Sequence, residues 1–207
     1  MDCVDIKVGF ACNNDCVHCV TADKRRFGEL TAEQIKDEMS FWRRKIDARD
    51  GEQVRTVVVL TGGEPTIRPE LPELVAHARG LGFAAVELQT NARALGDASL
   101  VKTLAEAGLT STLVALHGPA ADVHDAITQQ PGGFDETTAG MRHLIDNGID
   151  VRTNTVISRL NVEHLPRLAP FLGDQFPEMR FGQLTFPHPN GSAETNFDRV
   201  VPPMADT

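Results

Sequence analysis

The stretch RTVVVLTGGEP, residues 55–65, indicates the class of fold that this sequence forms. Its first half is a continuous, mainly β-branched apolar run, which is typical of a strand buried on both faces in a parallel sheet. In its second half, Gly62 and Gly63 leave the backbone approachable because they carry no side chain. Pro65 then fixes the direction in which the chain leaves the turn. We therefore expect a central parallel strand that ends in a polar turn.

The same strand-and-helix unit recurs along the chain. Strands are predicted at residues 4–10, 55–60, 84–89, 112–116, 151–157 and 179–186. Helices are predicted at 31–51, with Thr31 as N-cap, and at 70–79, 98–107, 135–146 and 163–172. Such alternation implies parallel strands joined by right-handed crossovers.

Six units are fewer than a closed eight-fold barrel contains, and such a barrel typically needs about 250 residues. The chain has 207 residues, so we predict an α/β fold of the partial (β/α)6 TIM-like type, with its active face at the carboxyl ends of the strands. A flat, doubly wound sheet is the alternative. One domain is expected over residues 1–207, with an irregular tail at 194–207.

Composition excludes several classes of protein. A net charge of -9 argues against a nucleic-acid partner bound through a broad basic surface. The polar N-terminus does not resemble a signal peptide, and no apolar run approaches the roughly 20 residues that span a membrane. Three of the four cysteines lie within residues 12–19, which is typical of a metal site in a reducing compartment. We therefore expect a cytoplasmic protein.

The stretch CNNDCVHC, residues 12–19, places three cysteines at CxxxCxxC spacing. Thiolates this close together can converge on one soft metal centre. A closed zinc site needs four ligands, and in that interpretation Cys3 or His18 supplies the fourth. A four-iron cluster held by three cysteines instead leaves one iron open to a ligand.

Polar residues follow most of the predicted strands. Glu64 comes after the second strand, Asn91 after the third and His117 after the fourth, while Arg152 and Asn154 share one face of the fifth. In parallel α/β folds the carboxyl ends of the strands form the active face, so these residues predict a single site. His188 and Asn190 follow the last strand and are further candidates, whereas the pair His124-Asp125 is interpreted as structural.

The CxxxCxxC loop followed by the GGEP turn resembles the radical S-adenosylmethionine (radical SAM) superfamily, and the resemblance covers nearly the whole chain. Residues 117–161 resemble the branch that includes the peptide-modifying and molybdopterin-type enzymes. The resemblance implies that Cys12, Cys16 and Cys19 ligate a [4Fe-4S] cluster whose open iron binds S-adenosylmethionine. Reductive cleavage would give a 5'-deoxyadenosyl radical that abstracts hydrogen from a peptide, a protein or a small metabolite.

The resemblance also implies roles for the remaining polar residues. Gly62, Gly63 and Glu64 would hold the methionyl ammonium, and His18 would lie against the adenine. Contacts to the methionyl carboxylate and the ribose would come from Gln89, Asn91, His117, Arg152 and Asn154. The implied partner is a flavodoxin- or ferredoxin-like reductant. The competing hypothesis is a non-catalytic metal-binding or redox-sensing protein that uses the same cysteines.

Overall fold

A computed structural model of the protein describes residues 2–51 and 54–202. Six parallel strands form one open sheet in the order β1-β2-β3-β4-β5-β6. They are β1 Asp2–Lys7, β2 Thr56–Thr61, β3 Ala85–Thr90, β4 Ser111–Ala115, β5 Asp150–Val156 and β6 Gly182–Thr185. Each strand pairs with its neighbour in sequence, whereas a doubly wound sheet reverses its strand order at a switch point. The prediction of a partial (β/α)6 barrel is therefore confirmed.

Helices connect the strands as the alternation predicted. The longer helices are α1 Ala32–Asp50, α2 Leu71–Gly80, α3 Ala98–Ala107, α4 Ala121–Thr128, α5 Gly133–Asp146 and α6 Leu165–Gln175. Two short helices follow β6, namely α7 Ser192–Thr195 and α8 Phe197–Val200. The N-cap prediction is confirmed, because Thr31 and Gln34 form a reciprocal capping box at the start of α1.

The bounds of β1, β6 and α6 differ from the predicted ones by up to three residues, and two further features differ from the predictions. Helix α4 was missed: it has only 8 residues, and its N-cap, Ala120, makes no side-chain capping bond, so no start signal marks it. The tail was predicted to be irregular from residue 194, which is wrong for α7 and α8. These turns form because Ala193 and Val200 are fully buried. Residues 203–207 of that predicted tail lie outside the described residues.

The main core lies between the sheet and the helices. In β3, Val86 and Leu88 are fully buried in this core, while Glu87 and Gln89 alternate with them and face the inside of the partial barrel. A second, smaller core consists of four side chains beneath loop 12–19, namely Val17, Val123, Ile127 and Val200. No helix in the described ranges combines the length and apolar character needed to cross a membrane.

Candidate functional site

A cavity of about 430 Å³ opens at the carboxyl ends of the strands. All of the predicted site residues except Arg152 line it. They are Cys12, Cys16, His18, Cys19, Gly62, Gly63, Glu64, Gln89, Asn91, His117 and Asn154. Among the further candidates, His188 lines the cavity as well. Residues that are more than 140 positions apart in sequence are thus brought to one space by the parallel topology.

A larger cavity of about 530 Å³ lies between α6 and β6. Its lining is mainly apolar, with Leu168, Phe176 and Met179 among the side chains, and it contains none of the predicted site residues. A binding site for a polar cofactor needs convergent polar groups. The smaller cavity at the strand ends is therefore the candidate site.

Helix α4 and the short helices of the tail hold loop 12–19 in place. The backbone N–H of Val17 donates to the Ile127 carbonyl at the end of α4, over 3.0 Å. From the tail, the backbone N–H of Ser192 donates to the Cys19 carbonyl over 2.8 Å, and the Asn196 side chain donates to the Val17 carbonyl over 3.0 Å. The two elements that sequence reasoning missed thus both contribute to fixing the cysteine loop.

The start of the same loop is tied down by Glu29. Its carboxylate accepts the backbone N–H groups of Phe10, over 3.0 Å, and Ala11, over 2.7 Å. Arg68 approaches the other Glu29 oxygen at 3.5 Å and donates to the carbonyls of Val8 and Leu30. Neither charged residue belongs to a motif that the sequence analysis used.

Gly62 and Gly63 are required by the close approach of two backbone segments. A Cβ atom on Gly63 would lie 2.1 Å from the Ala11 carbonyl oxygen, and one on Gly62 would lie 2.2 Å from the Gly9 carbonyl oxygen. The N–H of Gly63 donates to the Gly9 carbonyl over 2.9 Å, and the N–H of Glu64 donates to the Ala11 carbonyl over 2.8 Å. The turn after β2 is therefore locked to the chain that leads into the cysteine loop.

Glu64 is 97% buried and is the centre of a hydrogen-bond network. Its Oε1 accepts from the backbone N–H of Thr66 at 3.0 Å and from the hydroxyls of Thr66 and Thr90, both at 2.6 Å. Its Oε2 accepts from the backbone N–H of Asn91 at 2.6 Å. Burial raises the pKa of this carboxyl above its usual range, and the four donors act in the opposite direction.

The amide side chains in the cavity are partly engaged with the protein. Gln89 Oε1 accepts from the Thr61 hydroxyl over 2.8 Å, and Asn154 Oδ1 accepts from Gln183 and Thr185, both over 3.1 Å. Their amide nitrogens remain available as donors to a ligand.

The side chain of Asn91 is used more fully within the protein. Its Nδ2 donates to Asn13 Oδ1 over 2.7 Å, and its Oδ1 accepts from the Arg93 N–H over 3.0 Å. One amide hydrogen therefore remains for a ligand.

Three buried histidines pack together next to the cysteines. The rings of His18 and His117 meet edge to face with 4.7 Å between centroids, and those of His117 and His124 stack at 5.8 Å. Burial lowers the pKa of His18 and that of His124 to about 4, and it lowers the pKa of His117 well below 6.5. Because its Nδ1 accepts the Val156 N–H over 3.4 Å, neutral His117 carries its proton on Nε2.

The predicted structural role of the pair His124-Asp125 agrees with the contacts. His124 Nδ1 accepts the backbone N–H of His117 over 3.1 Å. Asp125 accepts the backbone N–H groups of Gly132 and Phe134, over 2.7 Å and 2.8 Å, at the start of α5.

Arg152 does not contribute to the cavity. Its guanidinium forms an ion pair with Glu87 of β3 and lies 3.8 Å from Asp150. It shares a strand face with Asn154, as the alternation requires, but it lies two residues nearer the start of β5. Its side chain therefore belongs to a deeper layer of the barrel interior. The predicted cofactor contact of Arg152 does not agree with this position.

All three cysteine side chains of loop 12–19 line the cavity. Burial raises the pKa of Cys12, and burial together with the neighbouring thiols Cys19 and Cys12 raises the pKa of Cys16 to about 12. Thiolates packed this way need a positive centre to hold them deprotonated. The donor set therefore fits a metal group.

The geometry also bears on which metal group fits. Within residues 2–51 and 54–202, no three Cys, His, Asp or Glu side chains come close enough together for a single metal ion. Cys3 cannot serve as a fourth ligand, because it lies on β1, outside the cavity, with its Sγ 3.9 Å from the Asp5 carboxylate. Three cysteines thus remain in the cavity, which is the donor set expected for a four-iron cluster that keeps one iron open to a ligand.

Comparison with known protein families gives the same result. The pattern described as "Radical SAM superfamily" matches residues 6–172, which is most of the chain. This chain belongs to the radical SAM superfamily. Members of the superfamily use a [4Fe-4S] cluster together with S-adenosylmethionine.

Two curated relatives are similar in sequence. An Fe-coproporphyrin III synthase of Methanosarcina barkeri is 32% identical over 182 residues, which is 84% of this chain and 42% of the relative. A mycofactocin maturase, MftC, of Mycobacterium tuberculosis is 34% identical over 169 residues, which is 81% of this chain and 40% of the relative. The chain thus spans less than half the length of either radical SAM relative.

The fold agrees with that of a solved radical SAM enzyme. The structure of native anSMEcpe with bound AdoMet and Kp18Cys peptide superimposes with a TM-score of 0.73 at 17% identity, over 90% of this chain and 51% of the other. At that identity the likeness concerns the fold alone. It supports the partial barrel as the framework of the site.

Proposed function

We propose that residues 1–207 form one radical SAM domain that binds a [4Fe-4S] cluster through Cys12, Cys16 and Cys19 and generates a radical for hydrogen abstraction. The observation that carries this proposal is that the three thiols share one cavity with Glu64, His117 and other polar residues at the strand ends. When bound, the cluster and S-adenosylmethionine supply the chemistry: one electron cleaves the sulfonium to methionine and a 5'-deoxyadenosyl radical. The protein's own residues then bind, orient and shield.

The turn after β2 binds the methionyl ammonium in this proposal. The N–H groups of Gly63 and Glu64 are engaged with the loop before Cys12, so the turn presents acceptors rather than donors to a ligand. Glu64 Oε2 accepts one hydrogen bond and retains capacity for a second. A cationic ammonium group suits these acceptors.

Neutral side chains bind the methionyl carboxylate and the ribose hydroxyls. His117 offers Nε2–H, and Gln89 and Asn154 offer amide N–H groups whose oxygens are already fixed by the protein. Asn91 contributes its one remaining amide hydrogen. His18, fixed edge-on against the His117 ring, lies against the adenine. Arg152 is left out of this proposal, because it pairs with Glu87 and does not line the cavity.

The substrate is a peptide, a protein or a small metabolite with an accessible C–H bond. The two relatives suggest both possibilities, since one is named a maturase and the other a synthase of Fe-coproporphyrin III. Incubating the reduced protein with deuterated candidates of each class and measuring deuterium in 5'-deoxyadenosine decides between them.

The electron comes from a low-potential reductant protein of the flavodoxin or ferredoxin type. Such a donor, and a cluster that oxygen destroys, both suit the cytoplasm. Mixing the reconstituted protein with a reduced flavodoxin or a reduced ferredoxin, in place of a chemical reductant, tests whether either supports formation of 5'-deoxyadenosine.

The main test uses the two kinds of cysteine in this chain. After anaerobic reconstitution, the wild-type protein should bind about four irons and release 5'-deoxyadenosine on reduction. Cys16→Ser should lose the cluster and the product. Cys3→Ser is the matched control, because Cys3 lies outside the cavity, and it should retain both.

Two results would contradict the proposal. A colourless protein that binds one zinc supports a structural metal site instead. A brown protein with four irons that releases no 5'-deoxyadenosine supports the non-catalytic, redox-sensing alternative.

A further inference from the structure

Asn14 lies inside the cysteine loop and is 97% buried. Its backbone N–H donates to the Cys12 sulfur over 3.4 Å. Its side chain is polar, and the sequence motif assigns it no function. A buried amide at this place needs partners for both its oxygen and its nitrogen.

Arg93 determines which way the Asn14 amide points. Its Nη1 donates to Asn14 Oδ1 over 3.0 Å and to the Asn13 carbonyl over 2.5 Å. A guanidinium can only donate, so the atom facing it must be the amide oxygen. The Asn14 nitrogen therefore faces away from Arg93, and a hydrogen bond from this side chain lowers the pKa of the Cys16 thiol, which lines the same cavity as Asn14.

Arg93 is itself held rigidly. Its Nε pairs with Glu136 of α5 over 2.5 Å, which leaves Nη1 directed at the loop. The preceding residue, Ala92, has a positive φ of 60°, which is costly for a residue other than glycine. Helix α5 packs directly on this residue, since a Cβ atom on Gly140 would lie 2.3 Å from the Ala92 carbonyl oxygen. Strain of this kind is retained where the surrounding structure fixes a functional geometry.

A second guanidinium fixes the backbone of the same residue. Arg25 Nη2 donates to the Asn14 carbonyl over 2.8 Å, while its Nη1 pairs with Asp15 at 3.3 Å. Both the backbone and the side chain of Asn14 are thus held by cations. Their shared effect is to hold the backbone N–H of Asn14 towards the Cys12 sulfur and its side-chain nitrogen on the side away from Arg93, in the cavity that also contains Cys16.

We propose that Asn14, oriented by Arg93, is a hydrogen-bond donor to the cysteine sulfurs that raises the reduction potential of the cluster. The inference rests on the proposed function, because it requires the cluster at Cys12, Cys16 and Cys19. Hydrogen bonds to ligand sulfurs withdraw negative charge and stabilise the reduced cluster, which carries one more electron. Arg93 acts as a positioning residue through the amide of Asn14.

The test measures the midpoint potential of the reconstituted full chain by a redox titration monitored by electron paramagnetic resonance. Asn14→Leu keeps the backbone N–H and the approximate size but removes the side-chain donor, and it should shift the midpoint to a more negative value. Asn14→Asp keeps an oxygen for Arg93 but replaces the donor by a carboxylate, and it should shift the midpoint further in the same direction. Arg93→Met should also lower the midpoint.

A comparison of variants separates orientation from simple charge. In the Arg93→Met background, Asn14→Leu should lower the midpoint by less than it does in the wild-type protein, because the amide is no longer held towards Cys16. Arg142→Met is the matched control: that arginine pairs with Glu178, away from the loop, and the midpoint should not change.

The outcomes distinguish this inference from the proposed function. An unchanged midpoint in Asn14→Leu, with about four irons bound, overturns the role of Asn14 and leaves the radical SAM assignment intact. If Asn14→Leu does not retain iron, the midpoint of Asn14→Asp decides in the same way. Failure of the wild-type protein itself to assemble a cluster overturns both.

Discussion

Replacing Glu64 by glutamine or alanine tests the hydrogen-bond network that joins the ends of β2 and β3. With glutamine, the oxygen is expected to take the place of Oε1, which serves three donors, so the new NH2 group faces the Asn91 N–H where Oε2 stood. One buried N–H group is then left without an acceptor, at a cost of about 2 kcal/mol. The Thr66 and Thr90 hydroxyls keep their acceptor.

Alanine removes both oxygens and should cost about twice as much. The backbone N–H groups of Thr66 and Asn91 both lose their acceptor, which amounts to about 4 kcal/mol, while the two hydroxyls can rotate to other partners. Urea unfolding of the metal-free, reduced protein at pH 7 measures these values. With a slope of about 2 kcal/mol per M, the midpoint should fall by roughly 1 M for Glu64→Gln and roughly 2 M for Glu64→Ala.

Glu106→Gln provides the control, since Glu106 is largely exposed and its nearest cation, Lys102, is 3.9 Å away. Its midpoint should stay close to that of the wild-type protein. Equal, small shifts for Glu64→Gln and Glu64→Ala would refute the reasoning, because they would mean that the four donors do not depend on the carboxylate. In the proposed function, Glu64→Gln also weakens binding of S-adenosylmethionine while the iron content is retained.

Three more predictions concern the scaffold of the site. His124→Asn should reduce the loss of stability on acidification by about 1.4 kcal/mol per pH unit. A histidine with a pKa of about 4 in the folded protein stabilises it above pH 6.5, and this effect is lost as pH falls, because the unfolded chain takes up the proton first. If the urea midpoints of the variant and of the wild-type protein change in parallel between pH 4.5 and 7, the assignment is contradicted. Gly63→Ala should prevent cluster assembly and destabilise the protein by at least about 2 kcal/mol. Gly173→Ala is the control and should be tolerated, because no atom lies within 4 Å of the added Cβ. If the two variants change the urea midpoint and the iron content equally, this is evidence against the close approach of Gly63 to the Ala11 carbonyl. Asn196→Ala should cost about 1 kcal/mol and speed the loss of iron to a chelator, and an unchanged release rate would show that the tail does not hold the loop.

The sequence by itself determined the architecture and most of the lining of the site. The apolar run before Gly62 and the regular alternation of strands and helices were sufficient for a parallel sheet with polar strand ends, because periodicity and turn residues are local properties. The capping box at Thr31 was readable for the same reason. The three cysteines and the glycine pair identified the site because their spacing is fixed within single loops.

Only the tertiary structure decided what each side chain contacts. Arg152 and Asn154 look equivalent on one strand face, but Glu87, which lies 65 residues earlier, pairs with Arg152 and removes it from the site. The direction of the Asn14 amide depends on Arg93, which lies 79 residues later. Helix α4 and the tail form because they pack beneath and beside the cysteine loop. Such contacts depend on strand register and packing between distant segments, and local patterns in a sequence do not contain that information.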